Sequence, residues 1–167
     1  MESAVDIAAY TTKRYYEISG TNMDEMKLQK ILYFIQRETI AITGDVAFCE
    51  TLRGWKYGPV CKEVRSVFCN GEIVVPTKEI SNDLKYIINN VISEYGQYES
   101  WKLAELSHKE SSWINARKGL APDENGDTPL ALSDIRKDAE KIRPYDYVWD
   151  MYYDEFETAE EITANVL

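Results

Sequence analysis

The chain is poor in the residues that usually carry chemistry. It has one histidine, His108, and three cysteines, Cys49, Cys61 and Cys69, in 167 residues. A metal centre needs convergent His, Cys or carboxylate ligands, and no Cys-x-x-Cys pair is present. An odd number of thiols in apolar or helical contexts argues against a disulfide frame and suits a reducing cytoplasm. A nucleophile–base pair would have to run through His108. The run Ser107-His108-Lys109-Glu110 reads instead as a helix end, where a histidine commonly bonds the last carbonyls. Gly54, Gly58 and Gly71 match neither phosphate-loop spacing. No apolar run approaches the ~18 residues that span a bilayer. Met1-Glu2-Ser3 has neither the basic nor the apolar part of a secretory leader. These shortages predict a protein without a cofactor or metal, and not an enzyme.

Basic residues are scarce as well. There are 19 Lys and Arg against 29 Asp and Glu, a net charge of −10. That balance is unsuited to nucleic-acid binding through this chain alone, which needs cations to displace counterions. The excess is uneven. Residues 144–167 contain Asp146, Asp150, Asp154, Glu155, Glu157, Glu160 and Glu161 and no Lys or Arg, which is −7 of the −10. The same stretch holds six aromatics between Tyr145 and Phe156. They dock on the body or meet a partner, because so many rings are poorly left in water. An acidic, aromatic segment suits a basic protein surface.

Periodicity predicts mostly helices. Ser3 caps a first one over 4–18, which Gly20 ends. A second runs from near Asn22 to Gly44, with Leu28, Ile31, Leu32, Ile35, Thr39 and Ile42 as its buried stripe. Lys27, Lys30, Phe34 and Arg37 lie on a different, solvated face. The helical period then disappears, and Val46, Phe48, Leu52 and Trp55 suggest a hairpin or two brief strands over 46–55. Pro59 suits the first turn of a helix over 59–69, which Asn70-Gly71 ends. Residues 72–80 read as a loop or edge strand. Further helices are expected over 82–95, capped by Ser81, over 98–108 and over 111–118. Gly119 to Thr128 is a loop. Ser133 caps a helix over 134–143, which Pro144 terminates. The tail fits either a strand or a helix, and Thr158-x-x-Glu161 is a capping box. The expected fold is therefore mainly α. It is a single compact multi-helix domain, residues 1–143, with a small β-hairpin between the second and third helices. An acidic aromatic extension, residues 144–167, follows.

Three runs, in this order, carry a resemblance. The first is Lys27-Leu28-Gln29-Lys30-Ile31-Leu32-Tyr33. The second is Trp55-x-x-Gly58-Pro59-Val60. The third is Leu106-Ser107-His108-Lys109-Glu110 followed by Trp113. Together they resemble the Panacea-domain antitoxins, which include phage-associated and SocA-like proteins. Departures are Ile31 where Leu is common, Gly54 where Ala is common, and Ser111-Ser112 where a Pro often precedes the Trp. The resemblance covers roughly residues 4–143 and leaves the tail out.

It implies a cytoplasmic antitoxin that neutralises a cognate protein toxin by direct binding. In one branch of the family the antitoxin is an adaptor that hands its toxin to a Clp protease. Two surfaces are candidates for contact. One is the tail, through Trp149, Tyr152, Tyr153 and Phe156 with Asp150 and Asp154. The other is Arg53, Lys56 and Tyr57 beside the Gly-Pro turn. The motif residues, Lys27 to Tyr33 with Trp55, Gly58, Pro59, His108 and Trp113, read mainly as scaffold, Trp55 and Pro59 locking the hairpin onto the helix. Two other classes stay open. An enzyme would gather His108, Tyr33, Trp55 and Lys27 in one pocket. A decoy mimicking nucleic acid would space its carboxylates evenly over the body, whereas here they crowd the tail.

Overall fold

Short polar side chains start the longer helices. In the computed structural model, which describes residues 1–142, α1 spans Ala4–Ser19. The Ser3 hydroxyl accepts from the Asp6 N–H, and Gly20 closes the helix at φ 74°. Asp24 caps α2, Glu25–Thr43, through the Lys27 N–H at 2.8 Å, so this helix begins three residues later than its apolar pattern suggests. Ser81 caps α4, Asn82–Tyr95, as expected. Each cap satisfies an amide that has no partner inside its own helix.

Between these helices lie β1 (Leu52–Trp55), β2 (Gly58–Cys61), the one-turn α3 (Lys62–Arg65), β3 (Phe68–Cys69) and β4 (Glu72–Ile73). The rest are α5 (Ser100–Ser107), α6 (Ser111–Ala116) and α7 (Leu132–Glu140). The described residues thus form a mainly α domain, and its principal hairpin does stand between α2 and α3.

Four local expectations are corrected. The hairpin is 52–61 rather than 46–55, and Pro59 lies inside β2 instead of opening a helix. The helix expected over 59–69 shrinks to α3. Asn70-Gly71 does not end a helix but turns β3 into β4, with φ of 50° and 87° as an Asn-Gly hairpin turn requires. Finally, Ser133 sits inside α7, whose N-cap is Ala131. The start of α7 is set by the preceding Leu130, buried and bonded through its N–H to the Leu52 carbonyl at 2.8 Å.

Pro59 is tolerated in a strand for a geometric reason. It pairs with Gly54, whose N–H and C=O point away from it, to Thr128 and Arg117. No ladder bond across that pair is lost when the N–H is missing. Residues 128–130 thereby continue the sheet on the far side of β1, where Arg53 bridges to Pro129.

The larger correction concerns α2. All residues from Lys27 to Ile40 are buried, so the helix is the axis of the domain and not an amphipathic cover. α1, α4, α5, α7 and β2 surround it. The expected solvated flank does not exist: Lys30 is 1% exposed, Phe34 1% and Arg37 5%. Buried polar groups of this kind are tolerated only when hydrogen-bonded, and each has found a partner outside its own helix.

Candidate functional site

The motif residues on α2 are ties, each to a different neighbour. Lys27 Nζ donates to the Gly96 carbonyl at 2.9 Å, where α4 ends. Gln29 holds both backbone groups of Cys61: its Nε2 donates to the carbonyl (3.2 Å) and its Oε1 accepts from the N–H (2.8 Å). Lys30 Nζ donates to the Pro59 carbonyl at 3.1 Å. These two side chains complete the edge of β2 that no strand among the described residues covers. Burial holds the Lys30 amine down to about 8, against the pull of Glu25 and Asp24. Gly58, at φ +116°, leaves room for that amine's stem: a Cβ there would overlap Lys30 Cε and stand 2.6 Å from Ser107 Oγ. Leu28 and Leu32 are fully buried apolar contacts of the same core.

Tyr33 points elsewhere. Its hydroxyl donates to Asp138 Oδ2 at 2.7 Å, and the same carboxylate accepts from the Ser111 and Ser112 N–H groups. Asp138 on α7 therefore caps α6, which lacks a capping side chain of its own. Burial, then Glu110 and Asp138, drive the Tyr33 phenol far above its usual range. Beside it Arg37 bonds Glu38, Tyr95 and Glu110, each at 2.8 Å. Burial opposes the guanidinium charge, but Glu38, Tyr95 and Glu110 outweigh it and hold its pKa above the ordinary value. The Phe34 ring stacks on Tyr95, centroids 4.2 Å apart.

The third motif braces the hairpin from behind. His108 is the C-cap of α5 and stacks on Trp113 at 4.0 Å. Trp113 Nε1 donates to the Trp55 carbonyl at 2.8 Å. Burial, with Lys30 and Arg117 nearby, lowers the His108 pKa and favours the neutral ring.

On the other side of the hairpin lies an open groove of about 620 Å³. Its floor is Gln29, Lys30, Gly58 and Val60; its rim is Trp55, Lys56, Tyr57, Lys62, Arg65 and Asp127. Trp55 Nε1 donates to Asp127 Oδ1 (2.9 Å) and Lys62 to Oδ2 (2.8 Å). The Lys62 bond first, then that of Trp55, keep the Asp127 carboxyl below its usual range. Arg65 lies over the Trp55 ring and pairs with Glu25, and Lys56 lies over the Tyr57 ring. Tyr57 is 57% exposed, an uncovered ring at the mouth of the groove.

The structure thus brings Trp55, Lys56, Tyr57, Gly58, Gln29 and Lys30 to one place. Arg53 stands beside it, donating to the Asp127 carbonyl at 3.2 Å, but does not line it. His108, Tyr33, Trp55 and Lys27 are not gathered in one pocket, since of these four only Trp55 faces the groove. Lys62, Arg65, Glu25 and Asp127 were missed by sequence reasoning. No local pattern connects a loop at 127 with a strand at 55; only the sheet edge built by residues 128–130 does. The tail residues Trp149, Asp150, Tyr152, Tyr153, Asp154 and Phe156 lie outside the described residues. Among the described residues no cluster of three His, Cys, Asp or Glu could hold a metal, and no helix is long and apolar enough to cross a membrane. Cys49, Cys61 and Cys69 are free thiols, and burial raises that of Cys61 to about 12.

No curated protein and no solved structure matches the chain. A family model described as antitoxin SocA-like, Panacea domain, matches residues 28–114, just over half of the sequence. The match opens within the α2 motif, passes through the hairpin and closes just after Trp113, so it takes in the ties around the groove. The chain belongs to the SocA-like Panacea-domain antitoxin family.

Proposed function

We propose that this chain neutralises a cognate protein toxin by binding it directly in the cytoplasm. The observation that carries the reading is the exposed Tyr57 ring beside Lys56, on a groove whose floor residues Gln29 and Lys30 are hydrogen-bonded to β2. Interfaces favour such aromatic anchors, backed by groups that need not move on binding. The other motif residues are occupied in holding the fold. We assign the contact surface to Lys56, Tyr57 and the neighbouring Arg53, together with the acidic aromatic extension 144–167. In that extension Trp149, Tyr152, Tyr153 and Phe156 supply apolar anchors, and Asp150 and Asp154 steer a basic toxin surface.

Co-expression with the product of a neighbouring toxin-like reading frame tests the reading, scored by growth rescue and co-purification. The full chain rescues and co-purifies. Lys56→Ala/Tyr57→Ala and a chain ending at Arg143 each fold, by circular dichroism, yet rescue poorly. Full rescue by both altered chains would show that the surface lies elsewhere. Rescue that disappears in a host lacking Clp proteases would instead favour delivery of the toxin for degradation.

A further inference from the structure

The groove is an electropositive spot on an acidic protein. Four cations line it, Lys30, Lys56, Lys62 and Arg65, against two carboxylates, Glu25 and Asp127. Those two carboxylates pair with Arg65 and Lys62. Lys56 has no ion-pair partner among the described residues. Two rings accompany the charge, Trp55 and the exposed Tyr57. The occupant this surface fits is an acidic peptide with aromatic side chains.

Such a peptide is part of the same chain. Residues 144–167 carry seven carboxylates, six aromatics and no Lys or Arg. They follow shortly after α7, whose end contacts α6, the helix that braces the hairpin from behind. Lys141 Nζ is 3.4 Å from Ser111 Oγ at the start of α6, and Trp113, two residues on, bonds the Trp55 carbonyl. A six-residue helix is only about 9 Å long, and twenty-four residues reach up to roughly 80 Å when extended. The other cation-rich concavity, with Lys13, Arg14, Lys78 and Lys85, also holds Asp6, Glu17 and Glu79. There Lys85 and Arg14 pair with Glu79 and Glu17. It also lacks a ring as exposed as Tyr57.

We infer that in the free protein the acidic aromatic C-terminal segment, residues 144–167, occupies the groove lined by Trp55, Lys56, Tyr57, Lys62 and Arg65 of its own chain. Its carboxylates neutralise Lys56 and add to the field at Lys62 and Arg65. Its rings cover Trp55 and Tyr57. The docked segment and a segment engaged with a toxin exclude each other, so a basic partner must displace it. The inference itself needs no toxin and can be tested on the isolated full-length chain.

Zero-length carbodiimide coupling of the dilute full-length chain, followed by peptide mapping, reads the contact. Expected are isopeptide bonds from Asp150, Asp154 or Glu155 to Lys56 or Lys62, lost in strong salt. In a mixture of ¹⁴N- and ¹⁵N-labelled chains the linked pairs are of one isotope. A second readout uses Lys56→Glu/Tyr57→Ser, two rim changes, at the half-buried Lys56 and the exposed Tyr57. Cleavage after Glu155 and Glu157 by a glutamate-specific protease runs severalfold faster in this variant than in the parent, at unchanged circular dichroism. Coupling mainly to Lys13, Lys78 or Lys85, no coupling, or an unchanged cleavage rate overturns the inference. Mixed-isotope pairs overturn it in favour of a second copy as occupant.

Discussion

Replacing Gly58 with alanine tests the link between the two main motifs. Gly58 has φ +116°, and a Cβ there would overlap Lys30 Cε and stand 2.6 Å from Ser107 Oγ. Two penalties combine. A side chain held at that backbone angle costs about 1–3 kcal/mol, and overpacking against buried atoms about 1–3 kcal/mol more. Moving Lys30 aside also breaks its bond to the Pro59 carbonyl. The expected loss is about 2–6 kcal/mol, a fall in Tm of roughly 5–20 °C for a chain of this size. A double-mutant cycle with Lys30→Ala, read by urea unfolding, separates the parts. Shortening Lys30 removes most of the overlap but leaves the backbone strain, so the two changes couple favourably by about 1–3 kcal/mol. A neutral Gly58→Ala, or strict additivity with Lys30→Ala, would refute the idea that Gly58 is glycine because Lys30 passes over it.

Three further outcomes follow from the same geometry. Gln29→Leu leaves the buried Cys61 N–H and C=O without partners and should destabilise by about 2–4 kcal/mol in urea. Gln29→Glu fares little better, since a carboxylate oxygen then faces the Cys61 carbonyl. Asp138→Ala strips the acceptor from the Ser111 and Ser112 N–H groups and leaves the Tyr33 hydroxyl only its longer bond to Glu110; a loss of about 2–4 kcal/mol is expected, with α6 losing amide-exchange protection before α4. Stability should also fall at alkaline pH. Burial lifts Cys61 and Tyr95 to about 12 and Tyr33 higher, against unfolded values of 9.0 for Cys and 10.0 for Tyr. The folded state then holds more protons, so the stability these groups contribute is complete below pH 9 and drains away as pH rises above it. Lys30 acts in the opposite sense, because its folded value of about 8 lies below 10.5. Its contribution is best above pH 10.5 and is lost as pH falls through 8. Lys30→Met should therefore steepen the alkaline decline seen in a urea series from pH 7 to 11.

The chain shows how far local pattern reaches. Ser3, Ser81, Gly20 and Gly44 mark helix ends by satisfying or turning the adjacent backbone, and they do so wherever the helix goes. The ordered motifs were legible for a similar reason: their residues are adjacent in sequence, so the family is recognisable without a structure. The hairpin was only half legible. Pro59 suits a helix start by its own φ, and only its pairing with a Gly54 whose amide faces Thr128 makes it a strand residue.

What the sequence by itself determined was the helical class, most helix boundaries, the family, and the concentration of negative charge in residues 144–167. Each depends on neighbours along the chain. The tertiary structure alone decided that Lys27, Gln29, Lys30, Tyr33 and Arg37 are interior. A polar residue at a helical spacing reads as solvated unless its partner is known, and here the partners lie up to 105 residues away, as for Tyr33 and Asp138. The groove likewise exists only after folding. Lys56 and Tyr57 at the hairpin turn, Lys62 and Arg65 on α3, and Asp127 in a distant loop meet because residues 128–130 pair with β1. Hydrogen-bond satisfaction in the interior, a condition on the whole fold rather than on any stretch of it, turned a seemingly amphipathic motif into the axis of the domain.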